Sequence, residues 1–266
     1  MRGTYTSRGL RLAYREEGRG LPLLLLHAFP LSGEMWRPQV EALAGTCRCI
    51  VPDLSGFGES EASPDGVCRM SDLATDAAAL LDHLGIERAV LGGLSMGGYA
   101  ALAFCATYPD RLRGLVLADT RAGADSEEAR QRRLETAEKV LKEGSGVLVE
   151  SLAPKLLGPR TRAERPDLLE KIAGWIAAAP REGVAAAQRG MAERPDRSGA
   201  LRRIAVPALI LVGAEDEVTP PDESRRMQRE IPGAELSILP GAGHLANLER
   251  PDAFNDALDS FLRRLS

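Results

Sequence analysis

The chain is short of the groups that most specialised chemistries need. Only three histidines (His27, His83 and His244) and four cysteines occur in 266 residues. No C-x-x-C pair exists: Cys47 and Cys49 stand two apart, and Cys68 and Cys105 lie far from both. These spacings do not supply the ligand sets that zinc uses, so no metal is expected. Scattered cysteines in a chain of this length read as reduced apolar fillers, and two apart on a strand they share a face. Positive charge is not in excess either. The net charge is −4, which excludes the basic stripe of a nucleic-acid binder. The run Arg130 to Arg133 sits among acids and reads as a solvated helix face. The longest apolar run, Leu21 to Ala28, contains Pro22 and His27 and is too short to span a bilayer. Met1 to Leu10 is polar and lacks a secretory pattern, so a cytoplasmic protein without membrane partners is the expectation.

What is present is ordinary for a globular protein: 44% hydrophobic and 27% charged residues. The length suits one large domain, or one domain carrying an insertion. Thr4–Ser7 and Leu10–Arg15 read as an edge hairpin. Strands are predicted at Leu21–His27, Cys47–Leu54, Ala89–Leu94, Leu115–Asp119, Ala208–Gly213 and Glu235–Leu239. Helices alternate with them at Met35–Leu43, Ser71–Leu84 (Ser71 as N-cap, Gly85 just past the end), Met96–Thr107, Asp222–Ile231 and Asp252–Leu265. The alternation predicts an α/β fold with a mostly parallel sheet covered on both faces. Between residues 121 and 201 it stops. Helix formers dominate there, interrupted at Pro154, Pro159, Pro166, Pro180 and Pro195. This stretch reads as a helical cap inserted into a core made of residues 1–120 and 202–266. Ligands of open α/β sheets bind beyond the carboxyl ends of the strands, where such a cap would sit.

Gly93, Ser95 and Gly97 form G-x-S-x-G between an apolar strand and a helix. That setting is what a nucleophile elbow requires: a turn so tight that its flanking positions must lack a Cβ, lifting the serine clear of the sheet. A phosphate-binding turn is the weaker reading, because no lysine follows these glycines and the G-x-G-x-x-G spacing is missing. No nucleotide or other cofactor is expected.

A serine hydroxyl needs a general base. His83, beside Asp82 on a helix, reads as a surface residue, and His27 ends a buried strand. His244 lies in a glycine-rich loop after the last strand, and it follows Ser95 in the chain as the order Ser…acid…His demands. The acid that orients it is expected to be Asp216, just past a strand end, with Asp119 as runner-up and Glu215 and Glu217 as lesser alternatives. Two N–H donors for a developing oxyanion are expected at Met96 and Phe29. Pro30 has no N–H, and His27 is expected to brace that loop.

With these motifs in order, the chain resembles the α/β-hydrolase superfamily. The matching residues are His27-Ala28-Phe29-Pro30, Pro52 to Ser60, Gly93 to Gly98, Gly213 to Pro220 and Gly243-His244, with Asn247 to Pro251 behind them. Ala28 stands where glycine is more usual, and Ser55 where a larger residue is common. The resemblance implies an eight-stranded sheet with a cap, the triad Ser95, Asp216 and His244, and Phe29 and Met96 as oxyanion donors. It gives Gly56 and Gly58 a loop-shaping role. Within the superfamily the chain is similar to small bacterial carboxylesterases and to the 3-oxoadipate enol-lactonase-like branch. Hydrolysis of a small ester is therefore expected, with a lactone as the alternative substrate and a ligand-binding receptor as the rival outside catalysis. Aspartate-nucleophile dehalogenases and epoxide hydrolases are disfavoured by Ser95. Among cap residues at helical spacing (Leu152, Leu156, Leu157, Trp175, Ile176 and Met191), Trp175 is the candidate for the substrate pocket. The low aromatic content, 4%, points to a modest pocket.

Overall fold

The structure, a computed structural model, describes residues 1–265. Eight strands form one sheet: β1 (Arg2–Ser7), β2 (Leu10–Glu17), β3 (Leu21–Leu26), β4 (Cys47–Pro52), β5 (Ala89–Leu94), β6 (Leu112–Ala118), β7 (Ala208–Gly213) and β8 (Glu235–Leu239). The spatial order is β1-β2-β4-β3-β5-β6-β7-β8. Both pairs involving β2 are antiparallel, and every other pair is parallel. The sequence reason is visible strand by strand. β5 and β7 are buried at every position and read as continuous apolar runs, as strands covered on both faces must. In β1 only Tyr5 and Ser7 are buried, in the alternation of an edge strand. Cys47 and Cys49 both point into the core, and all four cysteines are free thiols.

Eleven helices complete the described residues: α1 (Arg37–Leu43), α2 (Met70–His83), α3 (Met96–Thr107), α4 (Glu127–Glu143), α5 (Val149–Leu152), α6 (Pro159–Glu164), α7 (Pro166–Ala178), α8 (Arg181–Ala192), α9 (Pro221–Glu230), α10 (Ala246–Glu249) and α11 (Pro251–Arg263). One difference from the sequence expectation lies at the start of α2. Arg69, not Ser71, is the N-cap, and its N–H is accepted by Asp72 at 3.3 Å. An acid at the third helical position reaches back to the N–H of the N-cap residue in this way. The other end follows expectation. Gly85 has φ +65°, its N–H reaches Asp82, and Ile86 N–H reaches Leu81 O, which closes a Schellman turn. The predicted helix at Met35 splits into a 3₁₀ turn, Gly33–Trp36, followed by α1.

Helices α4 to α8 lie between β6 and β7. The prolines of this segment start helices more often than they break them: Pro159 and Pro166 open α6 and α7, where a missing N–H costs nothing. Helix α8 meets the core through its small residues. A Cβ on Gly183 would stand 1.7 Å from Gly56 O, and one on Gly190 would stand 1.7 Å from Cys68 O. Between them Ala186 O accepts the Cys68 N–H at 2.9 Å. Arg133 departs from the solvated face expected of it. It turns inward to Asp125 and Gln188.

Candidate active site

The carboxyl ends of β5 to β8 carry the candidate residues. Ser95 caps α3 with φ +54° and ψ −112°, a conformation rarely held by a residue with a side chain. The turn needs its glycines for contact as much as for dihedrals. A Cβ on Gly93 would stand 2.2 Å from Gly97 O, and one on Gly97 would stand 2.2 Å from Leu26 O on β3. Ser95 is buried apart from a 9% exposure. The Met96 N–H opens α3 and lies in its first turn, where intrahelical acceptors are missing. The Thr120 hydroxyl donates to Ser95 O at 2.8 Å and fixes the turn from the neighbouring strand end.

His244 and Asp216 meet at the ends of β8 and β7. His244 Nδ1 stands 2.8 Å from Asp216 Oδ2, with both side chains buried. This contact leaves Nε2 as the nitrogen free to act on a proton. Asp216 Oδ1 accepts the N–H groups of Val218 (2.8 Å) and Thr219 (2.9 Å), and Oδ2 also accepts the Thr219 hydroxyl (2.7 Å). Burial raises the Asp216 carboxyl, but the His244 charge and these hydrogen bonds outweigh it and hold it below the usual carboxylate range. Glu215 and Glu217 do not share the contact with His244 that Asp216 makes. Asp119, at the end of β6, is fully buried, with Oδ1 accepting the Gly213 N–H at 2.8 Å.

His83 is exposed and borders Tyr5 and Tyr14 near the opposite edge of the sheet. His27 acts as the brace expected of it. Its Nε2 accepts the Leu54 N–H at 2.9 Å, so its Nδ1 carries the hydrogen and donates to Ala28 O, also at 2.9 Å. Burial drives its pKa down, which favours this neutral form. The loop it holds uses the Ala28 N–H on Met35 Sδ (3.2 Å), whereas the Phe29 N–H has no acceptor among the described residues. Asp53 shapes the facing loop by accepting Gly33 N–H and Glu59 N–H, and a Cβ on Gly58 would strike its carboxyl group. Trp175 lines a cavity of about 220 Å³ with Pro30, Phe57 and Pro180, between α7 and that loop.

Three contributors were missed from sequence. Thr120 and Thr219 support the Ser95 turn and Asp216 as described. Glu249 accepts Gly243 N–H, beside His244, and Gly158 N–H, at the start of α6, both at 2.8 Å. Only Thr219 carried a local signal, a hydroxyl three residues after a loop aspartate.

Comparison with known proteins agrees with this fold. The family profile described as the alpha/beta hydrolase fold matches residues 22–251. A relative, 3-oxoadipate enol-lactonase 2 of Acinetobacter baylyi, is 30% identical over 265 residues, covering 99% of this chain and 97% of that one. A thermophilic esterase from Thermogutta terrifontis, solved with malate bound, superposes with a TM-score of 0.96 at 46% identity, covering 100% of this chain and 99% of its own. The enol-lactonase of Burkholderia xenovorans LB400 superposes with a TM-score of 0.91 at 30% identity, covering 98% of this chain and all of its own. The chain belongs to the α/β-hydrolase fold family and is a hydrolase of that fold.

Proposed function

We propose that the protein is a cofactor-independent carboxylic ester hydrolase acting on small substrates. The observation that carries this reading is the buried His244–Asp216 pair at 2.8 Å, on the same sheet edge as an elbow that holds Ser95 at φ +54°. In the mechanism, Ser95 Oγ attacks the carbonyl carbon while His244 Nε2 takes its proton. Asp216 holds the imidazole in the required tautomer and faces its positive charge. The carbonyl oxygen gains negative charge and meets the N–H groups of Met96 and Phe29, each such donor worth roughly 10²–10³ in rate. His244 then returns the proton to the leaving alcohol. It next activates a water, which releases the acid from Ser95. Residues 121–201 serve as the cap over this edge, with Trp175 beside the loop of Phe29 as a candidate wall of the substrate pocket.

A lactone substrate is the second reading, favoured by the two enol-lactonases among the similar proteins. Its chemistry is identical except that the leaving alcohol remains tethered to the acyl group. The test is hydrolysis of 4-nitrophenyl esters from acetate to laurate, with wild type and Ser95→Ala compared. Fast turnover of the short esters that disappears in the variant is expected. A rate equal in both proteins would refute the assignment of Ser95. Turnover restricted to lactones would select the second reading, and a single turnover without recovery would point to a receptor of this fold.

A further inference from the structure

Three carboxyl groups gather where β6, β7 and β8 end. Asp216 bonds His244 directly, Glu249 holds the neighbouring Gly243, and Asp119 stands behind Asp216. Asp119 is pinned to β7 on two sides. Its N–H reaches Leu211 O at 2.9 Å, and its Oδ1 accepts the Gly213 N–H at 2.8 Å. Its backbone is held at φ +42°, which the next residue turns to use, since Thr120 bonds the nucleophile turn. The second oxygen, Oδ2, is fully buried and receives no donor among the described residues. Buried polar atoms are rarely left so. A carboxyl oxygen that finds no donor is satisfied by carrying a proton itself and donating it. Asp216 is tied to the same glycine, its N–H reaching Gly213 O at 3.2 Å, which makes its carboxylate the neighbouring candidate acceptor.

We propose that Asp119 is a positioning residue whose carboxyl O–H donates a hydrogen bond to Asp216, fixing the orientation and charge of the acid behind His244. This rests on the reading of Ser95, His244 and Asp216 as the reacting groups. Electrostatics agree with the geometry. Burial first, and then the charges of Asp216 and Glu249, push Asp119 well above the usual carboxylate range, against the opposing bond from Gly213. Two carboxylates in contact in a dry site relieve their repulsion when one keeps its proton. A single negative charge then faces His244, where two would overbind its protonated form and slow the return of the proton to the leaving group.

The decisive variant is Asp119→Asn, whose amide offers both an oxygen to Gly213 and a donor to Asp216. Its kcat/KM is expected within about threefold of wild type, with the acid limb of the kcat/KM profile unmoved. Asp119→Ala removes the donor. It is expected to lower kcat about tenfold with little change in KM and to move that limb upward by roughly half a unit. A downward shift in the Asn variant would mean that Asp119 is ionised, and activity as low as that of Ser95→Ala would make Asp119 the acid itself. Either result overturns the proposal. Infrared spectroscopy decides the matter without turnover. The wild type at neutral pH should show the carbonyl band of a buried carboxylic acid, absent from Asp119→Asn; no such band in the wild type would end the proposal whatever the substrate. Stability gives a third readout. A carboxyl that stays protonated only in the folded state favours folding below its unfolded pKa and loses that contribution as pH rises. The melting temperature of Asp119→Asn should therefore gain on the wild type between about pH 5 and about pH 8.

Discussion

The acid proposed for the site depends on how many donors its two oxygens receive. Asp216 takes four, from two backbone amides, the Thr219 hydroxyl and His244. Thr219 is also 3.3 Å from His244 Nδ1, so its hydroxyl sits at the corner between acid and base. Thr219→Val keeps the shape and removes one hydrogen bond to a charged group, an interaction of about 1.5–3 kcal/mol. We expect kcat to fall about tenfold while KM stays within a factor of about two, because the lost bond orients the acid and touches no substrate. Steady-state kinetics on one short ester checks this; an unchanged kcat would show that Asp216 is held without the Thr219 hydroxyl. At this scale the sequence was legible where a role is tied to local spacing. Ser95 announces itself by glycines two positions away on each side, and His244 and Asp216 by chain order at strand ends. Thr120 and the tie of Glu249 to α6 were not legible, because those partners stand 25 and 91 residues away. The sequence places Asp216 ahead of Asp119 without settling the choice. Both follow a strand, and only the contact with His244 separates their places.

Element boundaries were legible for the same kind of reason. Buried parallel strands are continuous apolar runs, and β7 was read at the residues it occupies. The start of α2 was misread because a serine looks like a cap from any short window, whereas the N–H of Arg69 already had Asp72. The docking of α8 was illegible, since nothing local says that Gly183 and Gly190 face another backbone. Seven residues apart, they lie on one side of the helix and let two segments of the core approach it within contact of a hydrogen atom. Gly190→Ala puts a methyl group into Cys68 O, and neither is at the end of a flexible side chain. Overpacking of this kind costs about 1–3 kcal/mol, a fall in Tm of roughly 2–10 °C for a chain of this size. Gly174→Ala in α7 is the matched opposite. Its Cβ would meet nothing within 4 Å, and replacing a helical glycine there is expected to add about 0.5–1 kcal/mol. Melting curves of the two variants should move in opposite directions; a common direction would refute the docking argument.

Across the whole molecule, the helical segment and the core are joined by charge as well as by close contact. Of 34 basic residues only Lys139, Lys142, Lys155 and Lys171 are lysines, and all four fall between β6 and β7. The joints themselves use arginine, whose planar fork can serve several acceptors at once. Asp125 is the node. Its buried carboxylate is shared by Arg133 (2.5 Å), Arg194 (2.6 Å) and Arg121, from α4, the end of α8 and the loop after β6. Arg194 also donates to Gly123 O and lies 4.2 Å from the ring centre of Tyr99, one turn beyond Ser95 on α3. Burial opposes the charge on Asp125, but the hydrogen bonds of Arg194 and Arg133 prevail and hold its pKa down at about 2. A carboxyl depressed in the folded state lends stability above its unfolded pKa and loses it as pH falls through the folded value. The seam should therefore weaken between about pH 4 and about pH 2. Asp125→Asn leaves three guanidinium groups around a neutral side chain, and breaking a buried pair costs about 3–5 kcal/mol. Its Tm at neutral pH is expected to fall by about 10 °C, and the gap from wild type should close as the pH approaches 2. A gap that stays constant down to that pH would show that the loss comes from shape alone and that the charge at Asp125 does not hold the seam.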